Sequence, residues 1–231
     1  MYTEQLLLEN TIKAFIQQNK IEPFSKFPSE RTLSDELGVS RLQVRRILQS
    51  LVDQGILIVK KNSGYYLAPP KISVLLNSRN SYFNPICNNE KKFTRFITIN
   101  KLQFNNKIAN ILDCKQNTGI ELIGLQIQNN IPYGVIFSYF GDYENVSNNG
   151  NIFIKRNLFD ILALHGNPIA HMTEELSTKN SSKFEEILLN LPPDSKLTKH
   201  EIYCYNEQGL CILYQVILYP IFLVEFKGWS L

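Results

Sequence analysis

The 231-residue sequence lacks the motifs on which catalysis is usually built. It has no G-x-S-x-G elbow, no H-E-x-x-H, no glycine-rich phosphate loop and only three histidines, all far apart. No catalytic residue, metal site or cofactor is therefore expected. The four cysteines, Cys87, Cys114, Cys204 and Cys211, never form a C-x-x-C pair, and no basic, apolar, small-residue leader opens the chain, so the expected compartment is a reducing cytoplasm. No apolar run reaches the ~20 residues of a membrane helix. The longest, Leu210 to Phe226, is broken by Gln215, Pro220 and Glu225, and its Val, Ile and Tyr content suits a buried strand. Charge is also sparse, at 19% of residues with a net +3, but 44% hydrophobic content is that of a folded chain rather than a disordered one.

What charge there is lies unevenly. Residues 1 to 75 hold ten Lys or Arg against seven Asp or Glu, and the remainder holds fourteen of each, so the whole excess is N-terminal. That is either a phosphate-facing surface or a solvated face. The length favours two domains over one.

Periodicity divides the chain in the same place. Leu8, Ile12, Phe15 and Ile16 recur at helical spacing, and a loop through Pro23 and Pro28 follows. Ser29 is placed to cap a short helix bearing Leu33 and Leu37, closed by Gly38. Ser40 opens a third helix, with Gln43 as capping-box partner and Val44, Ile47, Leu48, Leu51 and Val52 as its apolar stripe. Ile56 to Val59, the turn Lys60 to Gly64, and Tyr65 to Leu67 then read as a basic-tipped hairpin. Pro69 and Pro70 end it, and the polar stretch to Lys92 reads as a linker. The expected domains are 1–70, a winged helix-turn-helix, and 93–231, joined by a linker at 71–92. In the second, strands near 93–100, 119–129, 133–141, 168–178, 197–206 and 210–219, with helices near 105–114, 157–165 and 182–190, predict an α+β fold with a largely antiparallel six-stranded sheet.

In a helix-turn-helix the second helix enters the major groove. Arg41 and Arg45 lie four apart on the face opposite the apolar stripe, where a guanidinium can fork to guanine. Gln43 either pairs with adenine or spends its side chain capping at Ser40. Arg46 points elsewhere and suits a phosphate or the surface. Lys60 and Lys61 are either phosphate contacts or an ordinary exposed turn.

The stretch Phe27-Pro28-Ser29-Glu30-Arg31-Thr32-Leu33-Ser34-Asp35-Glu36-Leu37-Gly38-Val39-Ser40-Arg41-Leu42-Gln43-Val44-Arg45-Arg46-Ile47-Leu48 closely resembles the signature of the GntR-type regulators. By that resemblance Arg31, Arg41 and Arg45 take the family's DNA-contacting arginine positions, and Leu42 and Gln43 its sequence-selecting positions. In the wing only Gly64 matches the usual G-K-G-T pattern. Downstream, Asn157 to Leu162 with Gly166, and the hairpin around Pro132 ending in Tyr139, resemble the UTRA effector-binding domain of the HutC branch. That domain is a chorismate-lyase-like antiparallel sheet that binds small metabolites and supports dimerisation. The resemblance thus implies a DNA-binding transcription regulator, a repressor acting as a homodimer on double-stranded operator DNA and answering to a small-molecule effector.

The family's anion-binding side chains are missing. Gly124 and Gln126 stand where two arginines are usual, and Ile136 and Leu213 where glutamates are. Arg95, Tyr139 and Tyr219 do align with family residues. Arg95 either neutralises one anionic group or is a surface arginine at a linker exit. His171, with Glu174 and Glu175 nearby, either orients a ligand or is structural, and His165 before Gly166 suits a helix C-terminus. These substitutions favour a neutral or apolar ligand over a phosphosugar, or no ligand at all. The alternative is a ligand-independent DNA-binding dimer whose second domain only dimerises.

Overall fold

The computed structural model describes residues 2–19, 21–60, 63–76, 92–114, 117–141 and 157–228. The chain divides into two compact units: Met1–Ile72 with Ile221–Leu223, and Ser73–Pro220 with Val224–Leu231.

The first unit begins with helix α1 (Tyr2–Gln18), α2 (Glu30–Leu37) and α3 (Arg41–Asp53), followed by the hairpin β1 (Leu57–Lys60) and β2 (Gly64–Leu67). The helix boundaries follow local chemistry. The Ser29 hydroxyl accepts from the Thr32 amide at 3.2 Å, and Gly38, at φ 65°, closes α2 in the left-handed region that favours glycine. Ser40 and Gln43 make a full capping box at the start of α3. Ile12, Phe27, Leu33, Val44, Ile47, Leu48, Leu51, Leu57 and Leu67 form one core, so every element of the unit contributes to it. Glu9 is buried beneath α1 and accepts hydrogen bonds from Lys13, Gln54 and Ser50, tying α1 to the end of α3. Those from Lys13 and Gln54 hold its carboxyl below the ordinary range despite burial.

The second unit is a six-stranded antiparallel sheet in the order β4-β5-β6-β9-β8-β7. Its strands are β4 (Lys92–Gln103), β5 (Thr118–Gln128), β6 (Ile131–Gly141), β7 (His171–Asn180), β8 (Lys196–Tyr205) and β9 (Cys211–Pro220). The helices are α4 (Asn106–Ile111), α5 (Leu158–Leu164) and α6 (Lys183–Leu189). Cross-strand partners share a face and consecutive residues alternate between faces. On one face α4 packs over Tyr139 and Tyr214, and the segment around Leu189 packs over Leu125, Ile127 and Val135. On the other, Ile120, Leu122, Ile136, Phe140, Ile202, Leu213 and Ile217 are all at most 2% exposed. The central strands are therefore buried on both sides, which explains the near-continuous apolar run in β9.

Two strands depart from expectation. Ile72–Leu75 (β3), within the stretch read as linker, pairs with β10 (Val224–Lys227). The Ile72 amide donates to Leu223 and the Leu76 amide to Lys227, advancing together along both strands, so this ribbon is parallel. Residues 77–91, the rest of that stretch, lie outside the described residues, as does Cys87. Cys114 and Cys211 are free thiols. No helix among the described residues is long and apolar enough to cross a membrane.

Candidate nucleic-acid interface and ligand face

Helix α3 separates its residues cleanly. Val44, Ile47, Leu48 and Leu51 are buried, whereas Arg41, Leu42, Arg45 and Arg46 are exposed. Leu42 is 58% exposed, on the same edge as Arg41 and Arg45. Gln43 is committed to its helix: its Oε1 accepts from the Ser40 amide at 3.0 Å and the Ser40 hydroxyl at 2.8 Å. In the DNA-free protein the capping role prevails.

The three arginines differ in how they are held. Arg31 on α2 approaches Asp35 only to 3.9 Å, with both side chains more than 70% exposed. Arg41 has no ion pair among the described residues. Arg45 is clamped by Glu30. Its Nε lies 3.0 and 3.1 Å from the two carboxylate oxygens and its Nη2 lies 2.7 Å from Oε2. The Tyr65 hydroxyl, from β2, donates to the same carboxylate at 3.3 Å. Hydrogen bonding from Arg45 holds the Glu30 carboxyl below its ordinary range against a smaller effect of burial, and Glu30 in turn raises Arg45. Sequence reasoning missed Glu30 and Tyr65. An acidic residue in the first turn of α2 looks like a helix-dipole partner, and its contact lies 15 residues away.

On the wing, Lys60 Nζ sits 4.5 Å from the centroid of the Tyr66 ring, a cation–π contact that leaves the residue half-buried. Gly64 has φ 95° and open space where a Cβ would stand, so backbone conformation, not crowding, calls for glycine. Lys61 lies outside the described residues.

The four ligand candidates of the second unit do not converge. Arg95 pairs with Leu125, which pairs with Val135, which pairs with Leu218. Tyr219 is the next residue and so occupies the opposite face. Tyr139, four residues beyond Val135, and His171, two before Thr173 in the row Tyr139–Tyr214–Tyr203–Thr173, share the Arg95 face. There Arg95 is exposed, and His171 is exposed and stacked on Tyr205 at 4.7 Å. Tyr139 stacks on Tyr214. Burial, then the neighbouring Glu121 that accepts its hydroxyl, pushes its ionisation well up.

Tyr219 instead looks onto a row of buried polar side chains. A Cβ on Gly134 would meet its ring at 2.8 Å and Gln126 Oε1 at 2.9 Å, so Gln126 and Tyr219 close over that glycine. Gln126, Ser138, Gln215 and His200 are at most 3% exposed. Gln215 Nε2 donates to the Ser138 hydroxyl at 2.7 Å, and His200 Nε2 meets Glu174 Oε2 at 2.9 Å. The amide oxygens of Gln126 and Gln215 accept no hydrogen bond from the described residues. Gly124, Gln126, Ile136 and Leu213, where the family's charged residues are missing, all lie on this face.

Residues 7–67 match the model for the family "Bacterial regulatory proteins, gntR family". Residues 7–67 are therefore a GntR-family DNA-binding domain. The chain is 24% identical over 200 residues to the HTH-type transcriptional repressor NagR of Bacillus subtilis, covering 84% of this chain and 82% of that one. Over 66 residues, 29% of this chain and 28% of the other, it is 33% identical to the mannosyl-D-glycerate transport/metabolism system repressor MngR of Escherichia coli. Its fold matches crystalline PhnF from Mycobacterium smegmatis with a TM-score of 0.59 at 15% identity, covering 97% of this chain and 99% of PhnF. The second unit alone resembles the ligand-binding domain of a GntR-family regulator from Bordetella bronchiseptica, with a TM-score of 0.55 at 16% identity over 64% of this chain and 95% of that domain.

Proposed function

We propose that this GntR regulator is a homodimeric repressor that binds a two-fold symmetric operator through α3 and is released by a small uncharged effector held on the Tyr219 face of its second domain. The solvent edge of α3 carries the reading. Arg41, Leu42 and Arg45 stand exposed along one side of a helix whose other side is packed into the core. Arg45 and Arg41 suit guanine, and Leu42 suits a thymine methyl. Arg31, Lys60, Lys61 and Gly64 border the same reading as phosphate or groove contacts. Gln43 joins only if its cap opens on DNA. The named repressors NagR and MngR support repression over activation. The division into a DNA-reading part, residues 1–70, a linker, 71–92, and an effector domain, 93–231, belongs to the same proposal. So do a cytoplasmic site of action and the absence of catalysis.

Selection of duplexes from a random pool, followed by footprinting, is expected to return an inverted repeat bound by two subunits. A single asymmetric half-site bound by a monomer overturns the proposal. On that operator Arg45→Ala weakens binding about ten- to hundredfold with little effect on random DNA, while Lys60→Ala weakens both equally.

The orphan amide oxygens of Gln126 and Gln215 favour an effector that donates hydrogen bonds without a net negative charge. Ile136 and Leu213 in place of glutamates favour the second reading, a ligand-independent dimer. Thermal shift against a metabolite library separates them, since a ligand at 100 times its Kd raises stability by ~2.7 kcal/mol. A library that neither shifts the melt nor releases DNA leaves the second reading standing.

A further inference from the structure

We propose that Glu30 is a positioning residue for base recognition, holding the Arg45 guanidinium edge-on so that its outer N–H pair is presented to a guanine before DNA arrives. The inference rests on the reading of Arg45 as a base contact. A guanidinium carries five N–H donors in a rigid planar fork. Glu30 takes the inner side, through Nε and one Nη2 hydrogen, at 2.7 to 3.1 Å. That leaves both Nη1 hydrogens and the outer Nη2 hydrogen, the edge that meets guanine O6 and N7. The two forks use different hydrogens and are made together. Arg45 remains 65% exposed while so held, and no hydrogen bond to its outer edge occurs among the described residues.

The carboxylate is itself fixed. Glu30 is the first residue of α2 behind the Ser29 cap, and Tyr65 on the wing donates to its Oε1 at 3.3 Å. Arg31 and Arg41 have no comparable clamp, so of the three arginines only Arg45 meets DNA with its side chain already ordered, and less freedom is lost on binding. Other accounts of Glu30 are weaker. An ion pair whose guanidinium is 65% exposed contributes little to folding, and a carboxylate beside a phosphate backbone opposes binding. An acid placed here weakens general DNA affinity and sharpens discrimination.

These effects separate in one experiment. Full-length wild type, Glu30→Ala, Arg45→Ala and the double variant are titrated against the operator duplex recovered by wild type from a random pool and against a random duplex of equal length. Glu30→Ala is expected to lose about tenfold on the operator, within the range of one bidentate contact, and to bind random DNA as tightly as wild type or more so. The double variant is expected to bind no more weakly than Arg45→Ala, because the two residues act as a unit. Replacing the contacted guanine by 7-deazaguanine, which removes N7, should cost wild type several-fold more than Glu30→Ala; a purely structural role would not produce that difference. Glu30→Gln, which keeps an acceptor, should fall between wild type and Glu30→Ala, and it carries the test if Glu30→Ala lowers the Tm. An unchanged operator-to-random ratio in Glu30→Ala overturns the proposal while leaving Arg45 as reader. Additive losses overturn it in favour of Glu30 touching DNA itself. An Arg45→Ala variant with an unchanged ratio removes the reading beneath it as well.

Discussion

Gln215 and Ser138 meet inside the C-terminal sheet, Gln215 fully buried and Ser138 2% exposed, and their 2.7 Å bond satisfies one end of the amide while the other end accepts nothing. Ser138→Ala removes the acceptor for Nε2 and leaves both ends of the buried amide unpaired, at a cost of about 1–3 kcal/mol. Gln215→Met removes the orphan oxygen but also the hydroxyl's donor, so it should lie within about 1 kcal/mol of wild type. In the double variant the lost bond costs ~1 kcal/mol and the relieved oxygen returns about 1–3 kcal/mol, giving a protein as stable as wild type or up to about 2 kcal/mol more so. Urea unfolding of the four proteins closes the cycle, with an expected coupling of about 3 kcal/mol from the middle of these ranges. A double variant destabilised by more than about 2 kcal/mol, or strictly additive single variants, would show that the Gln215 oxygen is satisfied in solution and that the polar row is ordinary core. If the row serves an effector, the stabilised double variant should hold its operator and fail to release it.

Two further outcomes test the packing and the electrostatics. Leu48, fully buried in the first unit, should lose about 2–5 kcal/mol on change to Ala, whereas Leu42→Ala on the exposed edge should stay within about 0.5 kcal/mol and affect only DNA binding, as thermal melts and operator titrations would register. Burial opposes the charge of Glu201, yet hydrogen bonds from Lys199, Tyr214 and Lys107 outweigh it and hold the carboxyl at about 2, below its ordinary 4.5. With the folded value below the unfolded one, its stabilisation is complete above pH ~4.5 and is lost as pH falls through about 2. The gap bounds that contribution at about 3 kcal/mol, and solvent screening at Lys107, 62% exposed, reduces it to about 1–2 kcal/mol. Glu201→Gln should therefore flatten the fall in stability between pH 4.5 and 2.5, and an unchanged slope in acid unfolding would show that the cluster contributes nothing.

The DNA-reading half was legible because its signals are local. Ser29, Gly38, Ser40 and Gln43 are helix punctuation within four residues of what they cap, and the hairpin declares itself by a run of β-formers either side of a polar turn. The six strands of the second half were legible for the same reason. What escaped depends on partners far away. The β3–β10 ribbon joins residues some 150 apart, and Ile72-Ser73-Val74-Leu75 directly after two prolines carries too short an alternation to be read as a strand. The Arg95, Tyr139, His171 and Tyr219 set is divided between the two faces of the sheet, a division the sequence does not display. Alternation fixes which neighbours along one strand share a face, but relating one strand to another needs the register, and a one-residue slip inverts the answer.

The two halves use charge in opposite ways. On α3 the informative groups are exposed ions, and one of them, Arg45, is held by the Glu30 carboxylate. On the Tyr219 face the positions where fixed charges are missing hold a glycine, an isoleucine, a leucine and one amide, Gln126, which with Gln215 leaves two buried oxygens without donors among the described residues. Each such oxygen costs the fold more than an apolar side chain of the same shape would. A domain that only dimerised would have no use for that cost. A domain that must recognise donors on an uncharged ligand would, and the ligand's donors would cancel it on binding, coupling effector occupancy to a more stable C-terminal sheet.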